Sequence, residues 1–383
     1  MGESFVVVIL RLSFVSLLTA GCASVSLQNN LQQIRKKYKV SALGGALLAG
    51  DEIKVVEVVG TRTYRGTEAV TREDRFHLGS CAKAMTATLA AVLIEEGKLK
   101  WKTPLYKIFS GIHQTHRLTT IEELSAHRGG LLGNLIKFDN GRLLKRIANK
   151  KLDPKLDPKR GRQILVKQLL SRPPKFKPGG RFLYSNAGYV VLGAALEQVT
   201  GLAWEELMKS KIFEPLKMVS CGFGAPGSEN LEVPVEPWGH EDFNSIRTES
   251  VPPDFFADNP PALGPAGNIH CSLSDWLKFL RAHVQGHFGT KNILKPESYK
   301  KLHASYPGQD YTYGGWIRVQ RAWAGGPALT HAGSNTLFYA NSWVALNKGV
   351  AIVAATNHGN RAAMKATDEV IDILWKKYYE GTK

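Results

Sequence analysis

Apolar runs at both ends of the chain constrain its fold more than any other feature. "ALGGALLAG" and "IKVVEVVG", separated by Asp51-Glu52, predict a strand pair joined by a turn. In the last third, "YGGWIRVQRA", "ALTHAGS", "TLFYANSWVALN" and "VAIVAATN" predict four more strands, with Asn347-Lys348-Gly349 as a hairpin turn. Helical spacing dominates between them. Residues 80–96 place Met85, Leu89, Val92 and Leu93 toward a core, and residues 187–200 stop at Gly201. "SLSDWLKFLRAHV" carries an N-cap at Ser272 or Ser274. A short polar helix is expected over 27–39. A final one over 361–379 should show Met364, Thr367, Ile371, Leu374 and Tyr378 on one stripe. "PPDFFADNPPALGPAGN", 252–268, reads as a loop.

Strands at both ends with helices between predict an α+β fold. One antiparallel sheet would be built from both chain ends and flanked by helices, with a mostly helical lobe inserted. The expected division is a leader over 1–22 and a single domain over 27–380. An α/β lobe would comprise 27–78 and 271–380, and the helical lobe about 79–270.

The leader, "MGESFVVVILRLSFVSLLTAGC", resembles a secretory signal, and Arg11 interrupts its apolar run, which argues against a spanning helix. "LTAGC" resembles a lipoprotein processing box and makes Cys22 the expected lipidation residue and membrane anchor. The protein is therefore expected to be exported, periplasmic or at the cell envelope. With Cys22 lipidated, Cys81, Cys221 and Cys271 are expected to be buried, inert thiols. No CxxC or HExxH pattern occurs, so neither a metal nor another cofactor is expected.

Fifty Lys and Arg against 33 Asp and Glu give a net charge of +17. Residues 142–181 hold fourteen Lys or Arg and two acids, Asp153 and Asp157. This stretch reads as a solvated basic face, or as a surface for an anionic envelope polymer or lipid. Nucleic acid is not an expected partner, because aromatic residues do not interleave with the basic run.

"FHLGSCAKAMTATLAAVLIEEGKL", 76–99, opens a helix with Ser80 and places Lys83 one turn on, against the preference of a helix N-terminus for anions. A serine hydroxyl needs a base to become a nucleophile. No G-x-S-x-G elbow is present, whereas Ser-x-x-Lys places an amine within reach. "FKPGGRFLYSNAGY" puts Tyr184 and Asn186 just before a helix, and "LTHAGS" puts His331 at a strand end. Polar groups at three element ends can converge on one cleft.

In these blocks, and in "LSAHRGGL" and "AGNIHCSLSDWLKF", the chain resembles the class C β-lactamase type of penicillin-recognising serine hydrolases. DD-carboxypeptidases, D-aminopeptidases and esterases are among them. The resemblance implies that Ser80 attacks an acyl carbonyl and that Lys83 hydrogen-bonds it. Tyr184 would be the general base, and Asn186 would orient Lys83 and substrate. It further implies His331 in the place of the lysine of K-T-G, an oxyanion hole from the backbone N–H groups of Ser80 and Ser334, and substrate contacts at Gly333 and Asn335.

A free tyrosine titrates near 10, so half-ionisation at pH 7 needs about 4 kcal/mol. A nearby lysine cation offers about that much before desolvation; a neutral Lys83 acting as base is the alternative. H-A-G departs from K-T-G at two positions. Ala332 lacks a hydroxyl for a substrate carboxylate, which favours an esterase or a peptidase with another anchor over a β-lactamase. His127 and Cys81 are expected to be structural. The expected function is hydrolysis of an ester or amide in a small-molecule or peptide substrate through an acyl-enzyme. The alternative is a non-catalytic envelope- or cell-wall-binding member of the same fold.

Overall fold

The computed structural model describes residues 26–133, 135, 157–228, 230–243, 247–254 and 257–382. The expected leader with Cys22, and the part of the basic stretch from 142 to 156, lie outside the described residues.

The strand-forming runs assemble as one sheet. β1 (Ala42–Ala49) and β2 (Glu52–Gly60) form the expected hairpin. β8 (Ile317–Arg321), β9 (Gly326–Ser334), β10 (Tyr339–Ala345) and β11 (Val350–Thr356) supply the rest. The order is β2-β1-β11-β10-β9-β8, antiparallel throughout. β1 pairs with β11 in a register that sets Gly44 against Ala355, so the two chain ends share the middle of the sheet.

Both faces of this sheet are covered, and consecutive glycines in β1 show how closely. A Cβ on Gly44 would lie 2.7 Å from Val58 and 2.8 Å from Leu273. One on Gly45 would enter Val370 on the opposite face. The helix α1 over 26–38 buries Leu27, Leu31 and Ile34, so its polar look hides an apolar stripe. With the C-terminal helix it covers one face. That helix (Arg361–Tyr378) buries Ala363, Ala366, Thr367, Val370, Ile371, Leu374 and Trp375; Thr367, Ile371 and Leu374 lie on the expected stripe, whereas Met364 is only half-buried.

The other face packs against the helix starting at Leu273, and α2 (Ala82–Glu95) lies in the same hydrophobic core. Every residue of α2 from Ala82 to Leu93 is buried, so it is a central helix rather than the amphipathic one expected. α3 (Ile121–Ser125), α4 (Pro158–Leu170), α5 (Asn186–Thr200) and α6 (Trp204–Met208) form the middle of the chain. Gly201, left-handed at φ 78°, ends α5 as expected. Ser272 is the N-cap of α8 (Leu273–His287) and accepts from Asp275 N.

The middle also contains strands that its composition did not predict. β3 (Phe76–His77), β4 (Gly222–Phe223) and β7 (Ile269–Cys271) make a small sheet in the order β3-β7-β4. β5 (Gly239–Phe243) and β6 (Arg247–Val251) pair as a hairpin. Within the expected loop 252–268 lie a 3-10 turn over Pro261–Leu263 and one helical turn, α7 (Gly264–Gly267).

Two expectations are corrected. Cys221 and Cys271 form a disulfide, and only Cys81 is a free, buried thiol among the described cysteines. The pairing of Gly222 with His270 sets the two cysteines opposite each other, which their separation of 50 residues concealed. Arg162, counted in the basic stretch, is fully buried. It pairs with Glu197 and Glu205 and donates to the Pro261 and Ala262 carbonyls.

Candidate active site

The turn between β3 and α2 presents Ser80. Gly79 sits at φ +51°, and a Cβ there would run into the Ser334 backbone nitrogen, so only glycine fits. No side-chain cap bond occurs at this helix start. Ser80 is therefore not an N-cap, and its hydroxyl serves other partners.

The partner at hydrogen-bond distance is Lys83, with Tyr184 beside it. Lys83 is fully buried, with Nζ 3.0 Å from Ser80 Oγ and donating to the Ala266 carbonyl at 2.6 Å. Burial lowers its pKa to about 7. The conflict with the helix dipole is thereby relieved: near neutral pH the group need not be a cation, and a carbonyl of α7 offsets it. The Tyr184 phenol interacts with Ser80, which favours its ionised form, but burial outweighs this and pushes its pKa up. The Lys83 nitrogen lies 4.9 Å from the centre of the Tyr184 ring.

His127 fixes Tyr184 from both sides. Its carbonyl accepts from Leu183 N at 3.0 Å and its Nδ1 accepts from Ser185 N at 3.0 Å. Its ring packs 4.3 Å from that of Tyr184 and 4.5 Å from that of Tyr311. A left-handed φ of 59° makes this reach possible. Sequence alone suggested only a structural histidine; its bracketing of Tyr184 depends on a contact 57 positions along the chain.

Asn186 begins α5 after the N-cap Ser185. Its Oδ1 is buried without a hydrogen-bond partner among the described residues. The second bond of Lys83 goes to Ala266, not to Asn186. His331 is buried in β9, where its Nδ1 donates to the Ala332 carbonyl at 2.6 Å and its Nε2 lies 3.2 Å from the Tyr311 hydroxyl. Burial, and then Lys83, lower its pKa to about 3, so the imidazole is neutral at pH 7. Tyr311 is a partner that no sequence motif marked.

The end of β9 closes against the serine turn. A Cβ on Gly333 would sit 2.5 Å from Ser80 N and would strike the Leu78 carbonyl. With the approach of Gly79 to Ser334, this brings the backbone nitrogens of Ser80 and Ser334 alongside each other. The Asn335 side chain is engaged internally. Its Oδ1 accepts from Leu337 N and Phe338 N, and its Nδ2 donates to Ala257 O and Asp258 Oδ1. Among the described residues no group of three or more His, Cys, Asp or Glu could hold a metal ion.

A family model described as Beta-lactamase matches residues 27–374. Penicillin-binding protein 4 of Amycolatopsis lactamdurans is 24% identical over 351 residues, which are 87% of this chain and 84% of that protein. An octameric penicillin-binding protein homologue from Pyrococcus abyssi superposes with a TM-score of 0.72 at 23% identity, covering 91% of this chain and 77% of that one. The D-amino acid amidase of Ochrobactrum anthropi SV3, complexed with L-phenylalanine, gives 0.71 at 19% identity, covering 94% and 100%. Serine-hydrolase chemistry in general goes with this family. A chain whose described fold is matched almost from end to end belongs to the Beta-lactamase family.

Proposed function

We propose that this protein hydrolyses an ester or amide through an acyl-enzyme on Ser80, with the neutral amine of Lys83 as general base. One observation carries the reading: the Ser80 hydroxyl is hydrogen-bonded by the buried amine of Lys83, which itself stands 4.9 Å from the centre of the Tyr184 ring. Burial pulls the pKa of Lys83 down toward neutrality and pushes that of Tyr184 away from it. Of the two candidate bases, the amine is the one available unprotonated near pH 7.

One N–H of Lys83 points at Ala266 O, and its lone pair receives the Ser80 proton as Oγ attacks the carbonyl carbon. The developing oxyanion lies between the N–H groups of Ser80 and Ser334; such donors are each worth about 3–4 kcal/mol in the transition state. The Tyr184 hydroxyl protonates the leaving group and is reprotonated from Lys83. Water then attacks the acyl carbon, returns its proton by the same pair, and releases the acid with Ser80 restored.

His331 is neutral and Ala332 carries no hydroxyl. These features favour a substrate without a free carboxylate next to the scissile bond, hence an ester or an amide of the kind the D-amino acid amidase is named for. The Cys221–Cys271 disulfide favours an oxidising compartment, in keeping with an exported protein.

A fluorophosphonate probe should label Ser80, with Ser80→Ala unlabelled and inactive. A panel of p-nitrophenyl esters, D-Ala-D-Ala peptides and nitrocefin assigns the substrate class. Equal labelling of Ser80→Ala would refute the reading.

A further inference from the structure

Beside the serine turn lies a second polar network that the acylation chemistry does not use. Its hub is Asp258, in the Pro-rich segment before α7. Asp258 Oδ2 lies 2.9 Å from Nε2 of His77, a fully buried residue of β3. His77 Nδ1 accepts from Gly79 N at 3.1 Å. A ring nitrogen that accepts a backbone N–H carries no proton, so the imidazole proton is on Nε2 and points at the carboxylate. On its other side Asp258 Oδ1 accepts from Asn335 Nδ2 at 3.2 Å and from Asn259 N at 2.7 Å. The Asn259 Nδ2 lies 3.5 Å from the same oxygen.

Each arm ends one residue from an oxyanion donor. His77 holds the peptide of Gly79, whose neighbour is Ser80. Asn335 directly follows Ser334 and ties down the turn to β10 by accepting from Leu337 N and Phe338 N. In that turn Thr336 is held at φ 81°, a conformation a β-branched residue does not choose unaided.

We propose that Asp258 is a positioning residue for catalysis: its two carboxylate oxygens, through His77 and Asn335, set the spacing of the two backbone N–H groups that receive the oxyanion. The inference rests on the reading of Ser80 as nucleophile. A donor displaced by a fraction of an ångström stabilises the oxyanion less while ground-state binding changes little, so the effect falls on kcat.

Asp258→Asn is nearly isosteric but can accept on only one side; its amide then opposes either the His77 Nε2–H or the Asn335 amide. His77→Asn keeps an acceptor for Gly79 N and loses the reach to Asp258. With a p-nitrophenyl ester, each variant is expected to lower kcat by roughly 10- to 100-fold with KM within about threefold. That is below the about 10²–10³ loss on deleting a donor. The inhibition constant of an arylboronic acid, whose tetrahedral adduct places an oxygen in the hole, should rise by the same factor. The double variant should cost no more than the larger single loss, because both break one chain of contacts. Unchanged kcat and boronate affinity in folded Asp258→Asn would overturn the proposal, as would fully multiplicative losses. Should Asp258→Asn not fold, His77→Asn decides by the same two readouts. Wild type that turns over ester and labels on Ser80, beside variants that match it, sinks this inference alone. Wild type inert to probe and ester removes the underlying reading and this inference with it.

Discussion

Lys83 is the residue on which charge, burial and reactivity meet. Its folded-state pKa is depressed toward 7 from the usual lysine value of 10.5. A base must be unprotonated, so acylation should rise with pH through about 7 and then level; the pH profile of kcat/KM for a neutral ester checks this. A profile already flat from pH 5 would exclude Lys83 as the titrating base. The same shift has a sign for stability. Between about 7 and 10.5 the unfolded chain holds the proton that the folded chain lacks, so this residue makes stability increase with pH in that window. Lys83→Met should abolish turnover, flatten that slope and raise the melting temperature at pH 7, because it removes a costly buried amine. Thermal scans at pH 7 and pH 9 measure both effects.

At the scale of elements, two cross-links hold the middle of the chain in place. The disulfide joins the ends of β4 and β7 and closes a loop of about 50 residues. Chain-entropy arguments give a loop of that size about 4 kcal/mol, so Cys221→Ser with Cys271→Ser should cost roughly 2–4 kcal/mol in denaturant unfolding. Arg162 ties α4 to α5 and α6 and to the carbonyls just before α7, the turn that holds Lys83. Arg162→Ala leaves Glu197 buried without its cation and should cost about 3–5 kcal/mol. Urea unfolding measures both losses. The elements differ in how well the sequence announced them. The six long strands were legible because alternating or continuous apolar runs with turn residues between them leave little else to form. The proximity of Ser80, Lys83, Tyr184 and His331 was legible from the blocks they stand in, although His331 lies within β9 rather than at its end. The small sheet was not, because two- and three-residue strands carry no periodicity. Nor were His127, Tyr311 and Asp258, whose roles exist only through partners brought together by the fold. Cys221–Cys271 was missed for the same reason. α2 was misjudged in its degree of burial because alanine and threonine do not distinguish a half-buried from an enclosed helix.

At the scale of the whole molecule, a charge of +17 surrounds a site whose imidazole is neutral. The excess charge should therefore act on approach rather than on recognition. Raising ionic strength from about 20 to 200 mM shortens the screening length to under 10 Å. It should lower kcat/KM for an anionic ester several-fold and leave that for a neutral ester of the same leaving group nearly unchanged. Stopped-flow acylation with the two esters tests this. Among the described residues no helix is long and apolar enough to cross a membrane.

The seating of β1 between β2 and β11 has a consequence for how the chain reaches this state. β1 meets β11 only after some three hundred intervening residues exist, because Leu43 pairs with Thr356 and Ala49 with Val350. A nascent chain halted before residue 350 carries a hairpin with one bare edge and an unfilled slot where the last strand belongs. Assembly must wait for the far end of the polypeptide, and such distant pairing makes for slow folding. Until then the first hairpin is an open template, and a chaperone has a long interval in which to hold it.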